Sequence, residues 1–164
     1  QRLSLNAFLD SIACDYADVG RPVTFKPTAG ADTLLIQPQA LRRIMTNLID
    51  NGLKFGDSVE ITLEFWENGD ACIQVRDDGP GIPEEALEAV LQPFYRLENS
   101  RNRDSGGTGL GLAIAAQLAA QMQGKLLLRN GERGGPTASL NLDAGALYAS
   151  VSDAVADNLA DKKP

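Results

Sequence analysis

From residue 59 to 66 and again from 71 to 76, apolar residues occupy alternate positions. Val59, Ile61, Leu63 and Phe65 alternate with Glu60, Thr62, Glu64 and Trp66; Ala71, Ile73 and Val75 alternate with Cys72, Gln74 and Arg76. A period of two marks a strand with one buried face. Asn68-Gly69-Asp70 between the runs is a favoured hairpin turn. The chain must therefore fold around two paired strands with an apolar face to bury, and the return strand delivers Asp77 at its end. Trp66 and Cys72 are expected to point away from the core.

Helical spacing supplies the other elements. Leu5, Phe8, Leu9, Ile12, Tyr16 and Val19 predict an amphipathic helix over 4–19, with Ser4 as N-cap and Gly20-Arg21-Pro22 as its end. Short strands are expected at 23–25 and 33–36, around a turn at 27–32. Pro38 stands where a helix needs no N–H donor, and helix 38–55 carries Leu41, Ile44, Met45, Leu48, Ile49 and Leu53 on its apolar side. Pro83 opens a short helix to about residue 91, and 92–107 reads as irregular and polar. Helix 109–123 should end on Gln123-Gly124, with Gly124 as its cap. Strands 125–129 and 137–142 form a last hairpin. In the tail, 144–164, Leu147, Val151, Val155 and Leu159 recur every fourth residue, which predicts a short surface helix after a domain of residues 1–143.

Composition narrows the chemistry. The 164 residues suffice for one domain with a sizeable core. A net charge of −7 disfavours general binding to nucleic acid or to an anionic membrane. No apolar run approaches a membrane span and no signal-peptide pattern opens the chain, so a cytoplasmic domain without membrane contact is expected. Cys14 and Cys72 lack metal-site spacing and read as two reduced thiols. There is no histidine, which removes Ser-His-Asp chemistry, histidine bases and most zinc sites together.

Two glycine-rich runs point to a phosphate site. Asp77-Asp78-Gly79-Pro80-Gly81-Ile82 and Gly106-Gly107-Thr108-Gly109-Leu110-Gly111-Leu112 bracket a polar segment containing Phe94, Tyr95 and three arginines. Either run alone reads as a tight connection. Together, with the second feeding a helix start, they offer backbone N–H groups and a positive dipole end to an anion. The second run lacks the Lys-Ser/Thr of a P-loop. It also lacks the third glycine and the β-α-β setting of a dinucleotide fold. Upstream, Asn47, Asn51 and Lys54 lie at i, i+4 and i+7 on one face of helix 38–55. A solvated polar face is the usual reading of such residues. Two stacked asparagines, mediocre helix formers, beside a lysine favour a ligand-facing stripe: amide oxygen for Mg²⁺, ammonium for phosphate.

Asn47-Leu48-Ile49-Asp50-Asn51-Gly52-Leu53-Lys54-Phe55, Asp77-Asp78-Gly79-Pro80-Gly81-Ile82, Pro93-Phe94-Tyr95-Arg96 and Gly107-Thr108-Gly109-Leu110-Gly111-Leu112 follow one another in order. They resemble the N, G1, F and G2 boxes of the catalytic ATP-binding domain of bacterial two-component sensor histidine kinases. The resemblance covers roughly residues 5–143. It implies a Bergerat-type two-layer α/β sandwich, a mixed sheet of about five strands with three main helices on one face and ATP beneath a flexible lid at about 92–105. It implies that Asp77 accepts from the adenine amino group, that Gly79 and Gly81 let the chain pass close to the base beside Ile82, and that Asn51 ligates Mg²⁺. By the same resemblance Lys54 contacts phosphate, Phe55 flanks the nucleotide, Phe94 anchors the lid, and Arg96 reaches the γ-phosphate, assisted by Arg101 and Arg103. Gly107, Thr108, Gly109, Leu110, Gly111 and Leu112 would surround the phosphates. The implied partners are a histidine-bearing dimerisation domain, in cis or in trans, and indirectly a response regulator. The implied parent is an inner-membrane sensor.

The same superfamily contains ATPases, and Asn47 bears on the choice. The hydrolytic relatives resemble one another in carrying a glutamate four residues before the magnesium asparagine, as a base for water. Here Asn47 occupies that position, and a neutral amide cannot take the proton. Transfer to a histidine needs positioning and charge neutralisation, because neutral imidazole is already a nucleophile. Asn47, Lys54 and Arg96 are therefore the expected catalytic group. With no histidine in the chain, the acceptor must lie on another domain. The alternatives are an ATP-hydrolysing or an ATP-sensing module of the same superfamily.

Overall fold

The computed structural model describes residues 2–28, 33–66, 69–91, 111–131 and 135–142. A five-stranded sheet runs in the order β2 (Val23–Lys26), β4 (Val59–Phe65), β5 (Ala71–Asp77), β7 (Pro136–Leu142), β6 (Gly124–Asn130). Strands β2 and β4 are parallel; every other neighbouring pair is antiparallel. A parallel pair needs a crossover. That connection contains β3 (Thr33–Leu35) and helix α2 (Pro38–Phe55). Helices α1 (Leu5–Asp18), α2 and α3 (Gly111–Gln121) complete the α/β layer pair, the expected fold class.

The alternation seen in the sequence is the packing. Val59, Ile61, Leu63, Ala71, Ile73, Val75, Ala138, Leu140 and Leu142 turn to the helices and are buried with Leu9, Ile12, Leu41, Ile44, Met45, Ile49, Ala115 and Ala119. Each large side chain so buried contributes roughly 1.5–3 kcal/mol. On the other face Trp66 is 43% exposed, as expected. Cys72 also lies on that face, outside the core cluster as expected, yet is only 4% exposed. Its neighbours there are longer (Glu64 and Gln74 among them) and act on a thiol whose pKa burial raises. Both cysteines are free.

Local chemistry sets the ends. Ser4 Oγ accepts from the Ala7 amide and caps α1; Gly20, at φ +78°, takes the chain out of it. Pro38 opens α2, and the Gly56 amide closes it on the Gly52 carbonyl at 2.8 Å. Gly69, at φ +89°, turns the β4–β5 hairpin.

Ser4 caps α1 as expected, but Arg2–Ser4 also forms a strand, β1, antiparallel to β3 in a separate two-stranded sheet. Two expectations need correction. The segment expected as one helix from Pro83 is two 3₁₀ turns, Glu84–Ala86 and Ala89–Leu91. And α3 ends at Gln121, short of the expected 123; the residue after it in the left-handed region, at φ 57°, is Gln123, not Gly124. Gly124 instead begins β6, where a Cβ would lie 2.8 Å from the Asn141 carbonyl oxygen; the glycine serves close approach, not the cap. The tail helix predicted in 144–164 lies outside the described residues.

Candidate functional site

Asp77 is where the fold concentrates polar chemistry. It follows Ile73 and Val75 on the buried face of β5, the central strand, opposite Val59. A carboxylate here continues the apolar row into the helix layer and is 7% exposed. Gly52 of α2 makes room for it: a Cβ there would stand 2.9 Å from Val59 Cγ2 and 3.3 Å from Asp77 Cβ. Asp77 Oδ1 accepts from the Gly79 amide at 2.8 Å; Oδ2 has no donor among the described residues. Burial raises its pKa to about 6, with Asp78 adding to the rise and the Gly79 amide opposing it. A buried carboxylate with one free oxygen is an acceptor waiting for a donor.

The loop after Asp77 is gripped from several sides. Asp78 Oδ1 accepts from the Asp57 amide at 2.7 Å and the Ser58 amide at 3.0 Å, and Ser58 Oγ donates to Oδ2 at 3.2 Å. These bonds, the Ser58 amide foremost, hold its carboxyl below the usual range, against some desolvation. Gly79 lies against the end of α2: a Cβ would strike the Phe55 carbonyl oxygen and lie 2.7 Å from its carbon. On the opposite side a Cβ on Gly135 would strike the Asp77 carbonyl oxygen. Gly81 is exposed, and Ile82 is half-buried with both backbone groups bonded to the Asn130 side chain.

Helix α2 presents the polar stripe. Asn47 and Asn51 are half-buried, Lys54 is exposed and Phe55 is 40% exposed. Asn47 Nδ2 donates to the Gly111 carbonyl oxygen at 3.2 Å, which ties α2 to the residue where the second glycine run enters α3. Asp50, next to Asn51, accepts from Tyr16 Oη at 2.7 Å and lies 3.7 Å from Arg21, which links this part of α2 to α1. Gly111 is exposed, with open space where a Cβ would be. Leu112 packs against the core, so its first role is structural. Phe94, Arg96, Arg101, Arg103, Gly107, Thr108, Gly109 and Leu110 lie outside the described residues, as does the lid expected at 92–105.

The donor set suits a metal that arrives with its ligand. Among the described residues no group of three or more His, Cys, Asp or Glu could hold a metal ion. The Asn51 amide offers one hard oxygen. Mg²⁺ takes few protein ligands and completes its shell with phosphate oxygens and water, so this sparse set fits a phosphate-borne ion.

Asp78, Gly52, Asn130 and Gly135 also shape the site, and none is marked as a site residue by sequence alone. Asp78 and Gly52 lie in the quoted motifs, where their spacing to Asp77 and Asn51 is the available signal. Nothing local marked Asn130 or Gly135, which meet the loop only through the β5–β7 and β6–β7 pairings.

The family model described as "Histidine kinase-, DNA gyrase B-, and HSP90-like ATPase" matches residues 36–146. The sensor histidine kinase CpxA of Escherichia coli K12 is 34% identical over 128 residues, 77% of this chain and 28% of that protein. The sensor histidine kinase GtrS of Pseudomonas aeruginosa is 37% identical over 142 residues, 87% of this chain and 28% of that one. The chain thus spans little more than a quarter of these relatives. Among solved structures, the ATP-binding domain of PrrB from Mycobacterium tuberculosis superposes with a TM-score of 0.70 at 26% identity, covering 88% of this chain and 96% of that one.

Proposed function

This chain belongs to the histidine kinase-, DNA gyrase B- and HSP90-like ATPase family, and on that footing we propose that it binds Mg-ATP and passes the γ-phosphoryl group to a histidine on a separate dimerisation and phosphoacceptor domain of a two-component sensor kinase. The observation that carries the ATP reading is Asp77: a buried carboxylate with one oxygen that no described residue bonds, beside a loop held on both sides. Adenine is recognised by such a group because its amino group donates, and a charge-assisted bond in a low-dielectric site is strong.

The remaining roles follow the chemistry of each residue. Asn51 would hold Mg²⁺ with the phosphates, and the ion when bound neutralises phosphate charge. Lys54 and Arg96 would place further positive charge on the phosphates, while Phe55 flanks the nucleotide. Backbone amides of 107–112, at the start of α3, would cradle the anion. Phe94 would anchor the covering segment. Asn47 would hold the loop's exit through Gly111 and supply no base for water. The acceptor imidazole brings its own lone pair, so the chain's work is orientation and charge neutralisation.

The chain contains no histidine. Incubated alone with Mg²⁺ and γ-labelled ATP, it should bind nucleotide yet acquire no acid-labile, base-stable phosphate; such label would contradict the reading. The same mixture with a histidine-bearing dimerisation domain from a candidate parent should label that domain. Release of free phosphate alone would favour an ATPase. A response regulator would receive the phosphoryl group afterwards. No described helix is long and apolar enough to cross a membrane, and we place the domain on the cytoplasmic side of an inner-membrane sensor.

A pH dependence follows from Asp77. The ionised carboxylate accepts best, so ATP affinity should rise as pH increases through about 6 and level off above it. The same titration in Asp77→Asn should lose this rise. An unchanged profile in the variant would remove Asp77 from the base site.

A further inference from the structure

Asn130 ends β6, far in sequence from the nucleotide motifs, yet it makes the most specific contact to one of them. Ile82 donates its backbone N–H to Asn130 Oδ1 at 2.8 Å, and Asn130 Nδ2 donates to the Ile82 carbonyl oxygen at 2.6 Å. This two-point pairing of an amide with one residue's backbone imitates a strand bridge, and only a primary amide offers donor and acceptor at that spacing. The turn that carries Asn130 is closed by the Gly131 amide on the Gly135 carbonyl at 2.7 Å. Gly135 in turn abuts the Asp77 carbonyl. One turn therefore holds both ends of the loop: Asp77 at its start through Gly135, Ile82 at its end through Asn130.

The other contacts of the loop fix only its first half. Asp78 reaches the Asp57 and Ser58 amides, Gly79 meets the end of α2, and Gly81 is exposed. Beyond Gly79, among the described residues, the Asn130 side chain anchors the loop through hydrogen bonds. We propose that Asn130 is a positioning residue for nucleotide base recognition: its amide, bonded to both backbone groups of Ile82, holds the 77–82 loop in the shape that receives adenine. The inference rests on the ATP reading given above.

Loss of the clamp leaves the loop in its competent shape for only a fraction of the time, and apparent affinity falls by that fraction. Two hydrogen bonds of ordinary strength set the scale at about tenfold. Calorimetry would compare the parent chain with Asn130→Ala, Asn130→Ser and Asp77→Asn, titrating Mg-ATP and, separately, inorganic tripolyphosphate, which has no base. ATP affinity should fall about tenfold in both Asn130 variants while tripolyphosphate affinity holds, and exchange of the Ile82 amide should quicken. Equal losses for ATP and tripolyphosphate would reduce Asn130 to general support of the fold and overturn the proposal, as would failure of both neutral variants to fold. Parent-like ATP affinity in the Asn130 variants, with a loss in Asp77→Asn, would overturn the proposal and leave the ATP reading standing. No loss in Asp77→Asn either, or no ATP binding by the parent, would overturn both.

Discussion

At saturating Mg-ATP, Asn47→Glu should hydrolyse ATP faster than the parent chain, and Asn47→Gln should not. The substitution places a carboxylate one helical turn before Asn51, on the face where hydrolytic relatives are expected to hold their base. A positioned general base contributes roughly 10²–10⁴-fold, which bounds the gain. The structure adds an opposing effect. Asn47 now donates to the Gly111 carbonyl at 3.2 Å. A carboxylate cannot donate, so Glu would lose that tie and set like charge density against the carbonyl, loosening the start of α3. ATP should therefore bind less tightly even as turnover rises, which is why saturation matters. Gln keeps a donor and lacks basicity, so it separates the two effects. Equal hydrolysis rates for Glu and Gln would show that residue 47 does not divide transfer from hydrolysis.

Asp77→Asn should weaken adenine nucleotides about tenfold or more, since a hydrogen bond to a charged partner contributes on the order of 1.5–3 kcal/mol. Oδ1 is already engaged by Gly79, so the change is read at the free oxygen. The empty protein should respond in the other direction. Burial raises the Asp77 pKa from the ordinary carboxylate value of 3.8 to about 6. Across that window the folded state binds more protons than the unfolded chain, so the contribution to stability is full below about 4 and is lost as pH rises through about 6. Asn carries no charge to bury. At pH 7 the variant should therefore melt no lower than the parent while binding ATP less well. A melting temperature that falls together with affinity would make Asp77 a structural residue first.

Much of this site was legible because its signals are local. Asn47, Asn51 and Lys54 follow from helical spacing, and Asp77 from the alternation of β5 that runs out on the buried face. Two departures share one cause. Gly124 reads as a cap because glycine commonly ends helices, but its requirement is the Asn141 carbonyl of a neighbouring strand. Strand β1 is three residues long and exists only by pairing with β3.

The sequence by itself determined the order of the main helices and strands, the core-facing rows of β4 and β5 and the polar stripe of α2, because periodicity and turn chemistry act within a few residues. Tertiary structure alone decided what closes the site. Gly79 must be glycine because the Phe55 carbonyl is there, and Gly135 because the Asp77 carbonyl is there. Asp78 matters because α2 and β4 turn beside it, and Asn130 because β6 ends against Ile82. Each of these depends on backbone groups brought together by strand pairing across 20 or more residues of chain, a distance at which no local pattern marks the partner.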